Sequence, residues 1–230
     1  MRKISTAGTA VLACLVVGAA LTGCTDGGTS EETSASRLLD DANAAMSDLK
    51  SVTIETATKV TGGEDRSSHL VTDLKATCVF RTATASGARL DQIRIEGADY
   101  IRPNRTHMEE SGRKVAGKGE QRLWVKELSS ESKPGDELSD CTHEFTSFGE
   151  ATKGESSEID GVPTVLLKVP DKETKGEFGF HVATEGKPYI LKVVYKDATF
   201  DNTVSFSAFD EPLDVRPPGK DDVIDMSGVG

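Results

Sequence analysis

Aromatic side chains are scarce in this chain: eight Phe, three Tyr and one Trp amount to 5% of 230 residues. Hydrophobic residues together reach only 36%, lean for this length but enough for one large domain or two small ones. Positive charge is in deficit, with 27 Lys and Arg against 38 Asp and Glu and a formal net charge of -11. No basic stripe for binding a phosphate backbone is visible, which argues against nucleic acid as a partner. Four cysteines are too few for a disulfide-dense mini-protein, and the composition excludes collagen and coiled coils. Apolar runs of membrane-spanning length are missing as well. The one extended run, Ala7 to Leu21, falls short of the roughly 20 residues a spanning helix needs.

That run follows Arg2 and Lys3, and the combination reads as a secretory signal peptide. It ends in Leu21-Thr22-Gly23-Cys24, small residues before a cysteine, which resembles a bacterial lipobox. The resemblance implies that the Cys24 thiol receives a diacylglyceryl group and that cleavage leaves Cys24 as the first mature residue. Stable anchoring takes two or more acyl chains, at about 0.8 kcal/mol per buried CH₂. The expected organisation is a signal peptide over 1–23, a lipidated flexible linker over 24–35 and a single domain over 36–230. The linker, TDGGTSEETSA after Cys24, is small, polar and acidic and has nothing to bury. Loss of Arg2 and Lys3 deepens the net charge from -11 to -13. The expected location is the extracytoplasmic face of the cell membrane, held there by lipid.

Cys14 leaves with the signal and Cys24 is taken by lipidation, so Cys78 and Cys141 remain. In an oxidising compartment they form the one possible intramolecular pair. Closing that loop is worth about 4 kcal/mol in the chain-entropy model. The alternative is two free thiols in metal or redox chemistry, although neither belongs to a C-x-x-C pair and no histidine stands at ligand spacing.

A helix opens the domain, capped by Ser34 or Ser36, with Leu38, Leu39, Ala42, Ala45, Met46 and Leu49 on one face. From Ser51 the period changes to two, and Val52 to Val60 reads as a strand ending in the turn Thr61–Asp65. Leu70, Thr72, Leu74, Ala76, Cys78 and Phe80 then share one face of what reads as a single eleven-residue strand. Leu90–Glu96 follows with Ile93 and Ile95 inward, and then Tyr100-Ile101. Pro103 to Gly119 reads as a loop with a short helix, Leu123-Trp124-Val125 as a short strand, and Ser129 to Asp140 as a polar loop. Cys141 begins a weakly helical stretch carrying Phe145 and Phe148. Alternation returns at Val165–Val169, Phe178–Val182, Tyr189–Tyr195 and Val204–Ala208. Short connections between these strands imply antiparallel meanders with one apolar and one wet face. The tail from Pro217-Pro218 to Asp225 is expected to cap the sheet.

The layout resembles the LppX/LprG-type bacterial lipoproteins of the LolA/LolB-like superfamily. The residues carrying it are the helix-to-strand passage Ser47–Thr56, Leu123-Trp124-Val125-Lys126, Ile159-Asp160-Gly161-Val162 and Pro188–Val194. The closing V-x-P-P-x-x-D-D-V-I-D, Val215 to Asp225, completes it. The resemblance implies an α+β fold, a strongly curved antiparallel sheet or half-barrel packed on a few helices, with an apolar cavity for acyl chains between them. Leu70, Leu74, Ile93, Ile95, Val165, Leu167, Leu191 and Val193 line that cavity if sheet and helices stand apart, and are core if they pack closely.

Signals for chemistry are absent. His69, His107, His143 and His181 are scattered, Asp221-Asp222 and Asp225 lack calcium-loop spacing, and Gly117-Lys118-Gly119 lacks a phosphate-loop context. No nucleophile elbow appears. Asn104-Arg105-Thr106 matches a glycosylation sequon by chance, given a bacterial lipobox. The expectation is therefore a monomeric, non-enzymatic lipoprotein without cofactor or metal, bound to the membrane and carrying a lipid, glycolipid or other hydrophobic ligand. The alternative is an envelope interaction or sensor module that binds a protein partner and has no cavity.

Overall fold

The computed structural model describes residues 34–113, 119–133, 135–146 and 149–228. Cys24, the signal peptide and most of the linker lie outside them, as does Phe148. Helix α1, Ala35–Ser47, starts at Ser34, whose hydroxyl accepts the Arg37 N–H at 3.2 Å. This satisfies one of the amides that a helix start leaves unpaired. Leu39, Ala42 and Met46 recur at helical spacing and are buried.

Most of the remaining regular structure is strand. β1 (Val52–Val60), β2 (Arg66–Thr72), β3 (Cys78–Thr84), β4 (Arg89–Ile95), β5 (Ala98–Pro103) and β6 (Trp124–Leu128) form one meander, with a short helix α2 (Arg105–Glu110) before β6. β7 (Thr152–Ile159), β8 (Val162–Pro170), β9 (Glu177–Ala183), β10 (Ile190–Lys196) and β11 (Phe200–Ser207) form a second. β12 (Val223–Asp225) is the last strand. The meanders join side by side through β1 and β11, giving one open sheet in the order β12-β6-β5-β4-β3-β2-β1-β11-β10-β9-β8-β7. Every pairing is antiparallel except β12 with β6.

This order dictates two long crossings. β6 lies near one edge and β7 is the other edge, so the described residues between them, 129–133, 135–146 and 149–151, traverse the sheet. They do so on the face carrying the core, touching it in sheet order. Ser132 bonds Asp99 of β5, Ser139 bonds Gln92 of β4, and Cys141 is joined to Cys78 of β3. Phe145 then packs on Phe206 of β11, and the Ala151 N–H reaches the Ser36 hydroxyl of α1. Helix α1 covers the inner face over β7, β9 and β10. The second crossing, residues 208–222, runs back from β11 to β12. Its Pro212 and Leu213 lie against Thr53 and Val71, which alternate with the core residues and so belong to the outer face.

Two expectations change, and one strand is new. The eleven-residue strand over 70–80 is a hairpin. Asp73 breaks it, its Oδ1 accepting the N–H groups of Lys75, Ala76 and Thr77 at 2.9 Å, with Leu74 left-handed at φ 59°. The shared face survives because the turn returns the chain in register, Thr72 opposite Cys78 and Leu70 opposite Phe80. No helix begins at Cys141, since its φ of 70° is incompatible with a right-handed start. β7 had no apolar alternation to announce it. It is a polar edge strand, and such an edge exposes both faces.

Candidate functional site

Cross-strand pairing fixes which residues face inward. Ile54 sits opposite Leu70 and Phe206, Leu70 opposite Phe80, and Val193 opposite Phe180 and Val204. These belong to one core cluster with Leu39, Ala42 and Met46 of α1. Phe80 in turn lies opposite Gln92 of β4. Leu90, Gln92 and Arg94 are therefore the inward residues of β4, while Ile93 pairs with Val79 and Tyr100 on the outer face, and Ile95 follows it there. The alternation that placed Ile93 and Ile95 inward ran one residue out of phase, because Gln92 and Arg94 of β4 and Asp99 of β5 take inward positions.

Those polar residues form a buried network. Asp99 is 0% exposed in its side chain and Arg94 12%. Arg94 donates to both Asp99 oxygens at 2.7 Å, Gln92 Nε2 donates to Oδ1 at 2.8 Å and Ser132 Oγ to Oδ2 at 2.8 Å. Gln92 also exchanges two hydrogen bonds with the Ser139 backbone. Burial alone would raise the Asp99 carboxyl, but hydrogen bonds from Arg94, Gln92 and Ser132 and the guanidinium charge hold it below the usual carboxylate range. The first half of the crossing is thus tied down by charge and hydrogen bonds. At its middle, Cys78 and Cys141, both fully buried, are bonded with Cα atoms 5.4 Å apart. The Thr72 hydroxyl donates to the Cys141 carbonyl beside them.

Beyond the disulfide the surroundings turn apolar. His143 to Thr146 of the crossing, Asn43 of α1 and the inner face of β8–β11 line a partly open cavity of about 190 Å³. Phe145, Phe178, Phe180 and Phe206 supply rings, and Val169, Ile190, Val193 and Val204 supply aliphatic wall. Period-two placement puts Phe178 and Phe180 on the same face of β9, where they stack with centroids 6.2 Å apart. His143 is the titratable ring in the wall, 4.7 Å from Phe145 and 5.7 Å from Phe206. Burial pushes its pKa down from 6.5, keeping the ring neutral.

Of the eight residues expected to line a cavity, Val193 does. Leu167 and Leu70 are buried core beside it, and Leu74 and Val165 pack against that core. Leu191 is the extra residue of a bulge where β10 shifts register against β9. The phenylalanines and His143 were missed. Two of them lie on the crossing, which carries no periodic signal, whereas Phe178 and Phe180 were legible in the alternation of β9. Asn104 of the sequon is engaged in structure, its side chain accepting the Arg89 and His107 N–H groups and donating to Gly87. Among the described residues no helix is long and apolar enough to cross a membrane.

No family model matches the chain, and no curated protein does. Solved structures do. LprF from Mycobacterium bovis aligns with a TM-score of 0.54 at 14% identity, over 80% of this chain and 97% of that one. The lipoprotein LppX from Mycobacterium tuberculosis aligns with a TM-score of 0.39 at 15% identity, over 78% and 98%. A LolA superfamily protein from Nitrosomonas europaea gives 0.28 at 9%, over 82% and 96%. At such identities the likeness is one of fold, and the LprF match establishes it. This chain has the fold of LprF.

Proposed function

We propose that the chain is a membrane-anchored extracytoplasmic lipoprotein that binds a hydrophobic ligand between its sheet and the layer of α1 and residues 143–146. The observation that carries this reading is the apolar, phenylalanine-walled cavity in a fold shared with LprF. Twelve strands in one open sheet rarely stay flat, which supports a sheet curved into a half-barrel around α1. Anchoring through Cys24 rests on the Leu21–Cys24 motif.

Size narrows the ligand. Pockets for drug-sized molecules run to about 300–1,000 Å³, while an apolar cavity of about 150 Å³ takes a benzene-sized guest. At about 190 Å³ the cavity admits a ring or a stretch of one acyl chain. Each methylene it takes from water contributes about 0.8 kcal/mol before association costs. A multiply acylated lipid requires residues 143–146 to move off the sheet.

Organic extraction of the purified chain followed by mass spectrometry is the test. Wild type yields a co-purified hydrophobe at near-stoichiometric amount, and Val193→Trp, which fills the cavity at an overpacking cost of about 1–3 kcal/mol, yields none while retaining its circular dichroism spectrum. A wild-type chain that comes out lipid-free and fails to bind a fluorescent fatty acid refutes the reading.

A further inference from the structure

The outer face of the sheet locally reverses the sign of the chain's charge. Hydrogen-bonded pairing aligns Lys192, Glu55, His69, Arg81, Asp91 and Arg102 in one cross-strand row from β10 to β5. At its β3–β5 end three guanidinium groups converge on one carboxylate. Arg81 Nε lies 2.5 Å from Asp91 Oδ1, while Arg102 Nη2 and Arg89 Nε lie 3.2 and 3.4 Å from Oδ2. Asp91 is 5% exposed and the arginines 58%, 30% and 48%. One negative charge answers three positive ones, so the cluster is left at +2 on a chain whose formal charge is -11. Arg102 is also held over the Trp124 ring, 4.3 Å from its centroid. Of the carboxylates flanking the cluster, Asp225 is paired with Lys126 and Glu55 lies 3.4 Å from His69 Nδ1.

One arginine would satisfy Asp91. Three, grouped by a buried carboxylate and still open to solvent, make a preorganised set of planar donors matched to phosphate oxygens. We propose that this cluster docks on the phosphate groups of an anionic phospholipid surface, with Trp124 at the headgroup level where indole rings are favoured. Charge complementarity selects the partner, since the acidic remainder of the chain is repelled by the same surface and docking must orient it with β3–β6 toward the headgroups. The partner's proximity rests on the anchoring proposed through Cys24, but not on the cavity. A linker of residues 24–35 spans at most about 40 Å when extended, which keeps the cluster within reach of the membrane.

Trp124 is the only tryptophan and reports on the cluster directly. The full lipidated chain is placed in nanodiscs of phosphatidylcholine, with or without phosphatidylglycerol, and its emission is followed. Phosphatidylglycerol should shift the emission, high salt should reverse the shift, and Arg89→Gln should weaken docking about fivefold, the effect of one basic residue at an anionic surface. Arg89 is chosen because it makes the longest of the three contacts, so its loss leaves the fold intact, and Arg89→Lys, which keeps the charge but not the planar donors, should restore docking in part. Identical emission in the two kinds of disc overturns the proposal. So does an equal shift produced by inorganic phosphate with neutral discs, which would assign the cluster to the free anion. A chain that leaves the discs altogether indicts the anchor instead, and docking is then scored with phosphatidylglycerol vesicles against phosphatidylcholine vesicles, where equal binding overturns it.

Discussion

Asp99 is the charge from which the inner-face crossing hangs, and Asp99→Asn isolates that charge at constant shape. In the wild type each carboxylate oxygen accepts two donors, Arg94 Nε and Gln92 Nε2 at one and Arg94 Nη2 and Ser132 Oγ at the other. An asparagine can present one oxygen. Its amide nitrogen then confronts two donors at the second site, and the Arg94 guanidinium, 12% exposed, loses its counter-ion. Breaking a buried pair from one side costs about 3–5 kcal/mol, a large part of the 5–15 kcal/mol that typically holds a domain. For a domain of this size that corresponds to a fall in Tm of about 6–20 °C. Thermal and urea unfolding followed by circular dichroism at pH 7 measure it.

The pH dependence supplies a second check. Because the folded-state pKa of Asp99 lies below its unfolded value near 3.8, its contribution is complete above that value and is lost as pH falls through the folded pKa. The gap between wild type and Asp99→Asn should therefore close in acid. Replacing the pair by apolar side chains, Asp99→Leu with Arg94→Met, should recover much of the loss, since such exchanges are often neutral. A destabilisation by Asp99→Asn under 1 kcal/mol, or one unchanged down to strongly acidic pH, would refute the argument that this ionised network secures the crossing.

Two other perturbations probe the same layer. Cys78→Ala with Cys141→Ala should cost about 2–5 kcal/mol and raise hydrogen exchange over residues 137–146, and wild-type protein should show no thiol reactive to labelling at these positions before reduction. His143 is held neutral by burial, so its contribution is present above pH 6.5 and declines as pH falls below it. His143→Gln should flatten the stability profile below pH 6.5, leaving the part due to His181, whose pKa burial and Lys192 also lower.

How much of this was legible depended on which physical signal each segment carries. Helix α1 and strands β1, β8, β9 and β11 declare themselves by period, because one face of each must be apolar. β4 misleads by the same rule. Its inward residues are Leu90, Gln92 and Arg94, acceptable inside because a crossing segment brings partners for the polar two, and its outward Ile93 has the apolar look of a core residue. No pattern local to β4 reveals a partner that arrives 47 residues later at Ser139. The hairpin at Asp73 was missed for a related reason. Period two survived the turn, so alternation alone read two strands as one, and an aspartate accepting three backbone N–H groups had to be recognised as the break.

The crossing also resolves the apparent shortage of apolar material for a cavity. A cavity needs lining only where it is, and the chain concentrates its supply there. Four of its eight phenylalanines wall the space of about 190 Å³. On the β3–β5 side the inner face carries the Asp99 network and the disulfide, which need no aromatics, and the space of about 530 Å³ beside Leu90, Ile101 and Pro103 has a mixed lining that includes His107, Arg113, Glu127, Asp136 and Glu137. An open sheet in which only one half faces a phenylalanine-walled cavity can be built from a lean composition. The reading is specific: enlarging the apolar half should expand what the protein binds, whereas substitutions in the polar half should change stability first and ligand only through the release of residues 143–146.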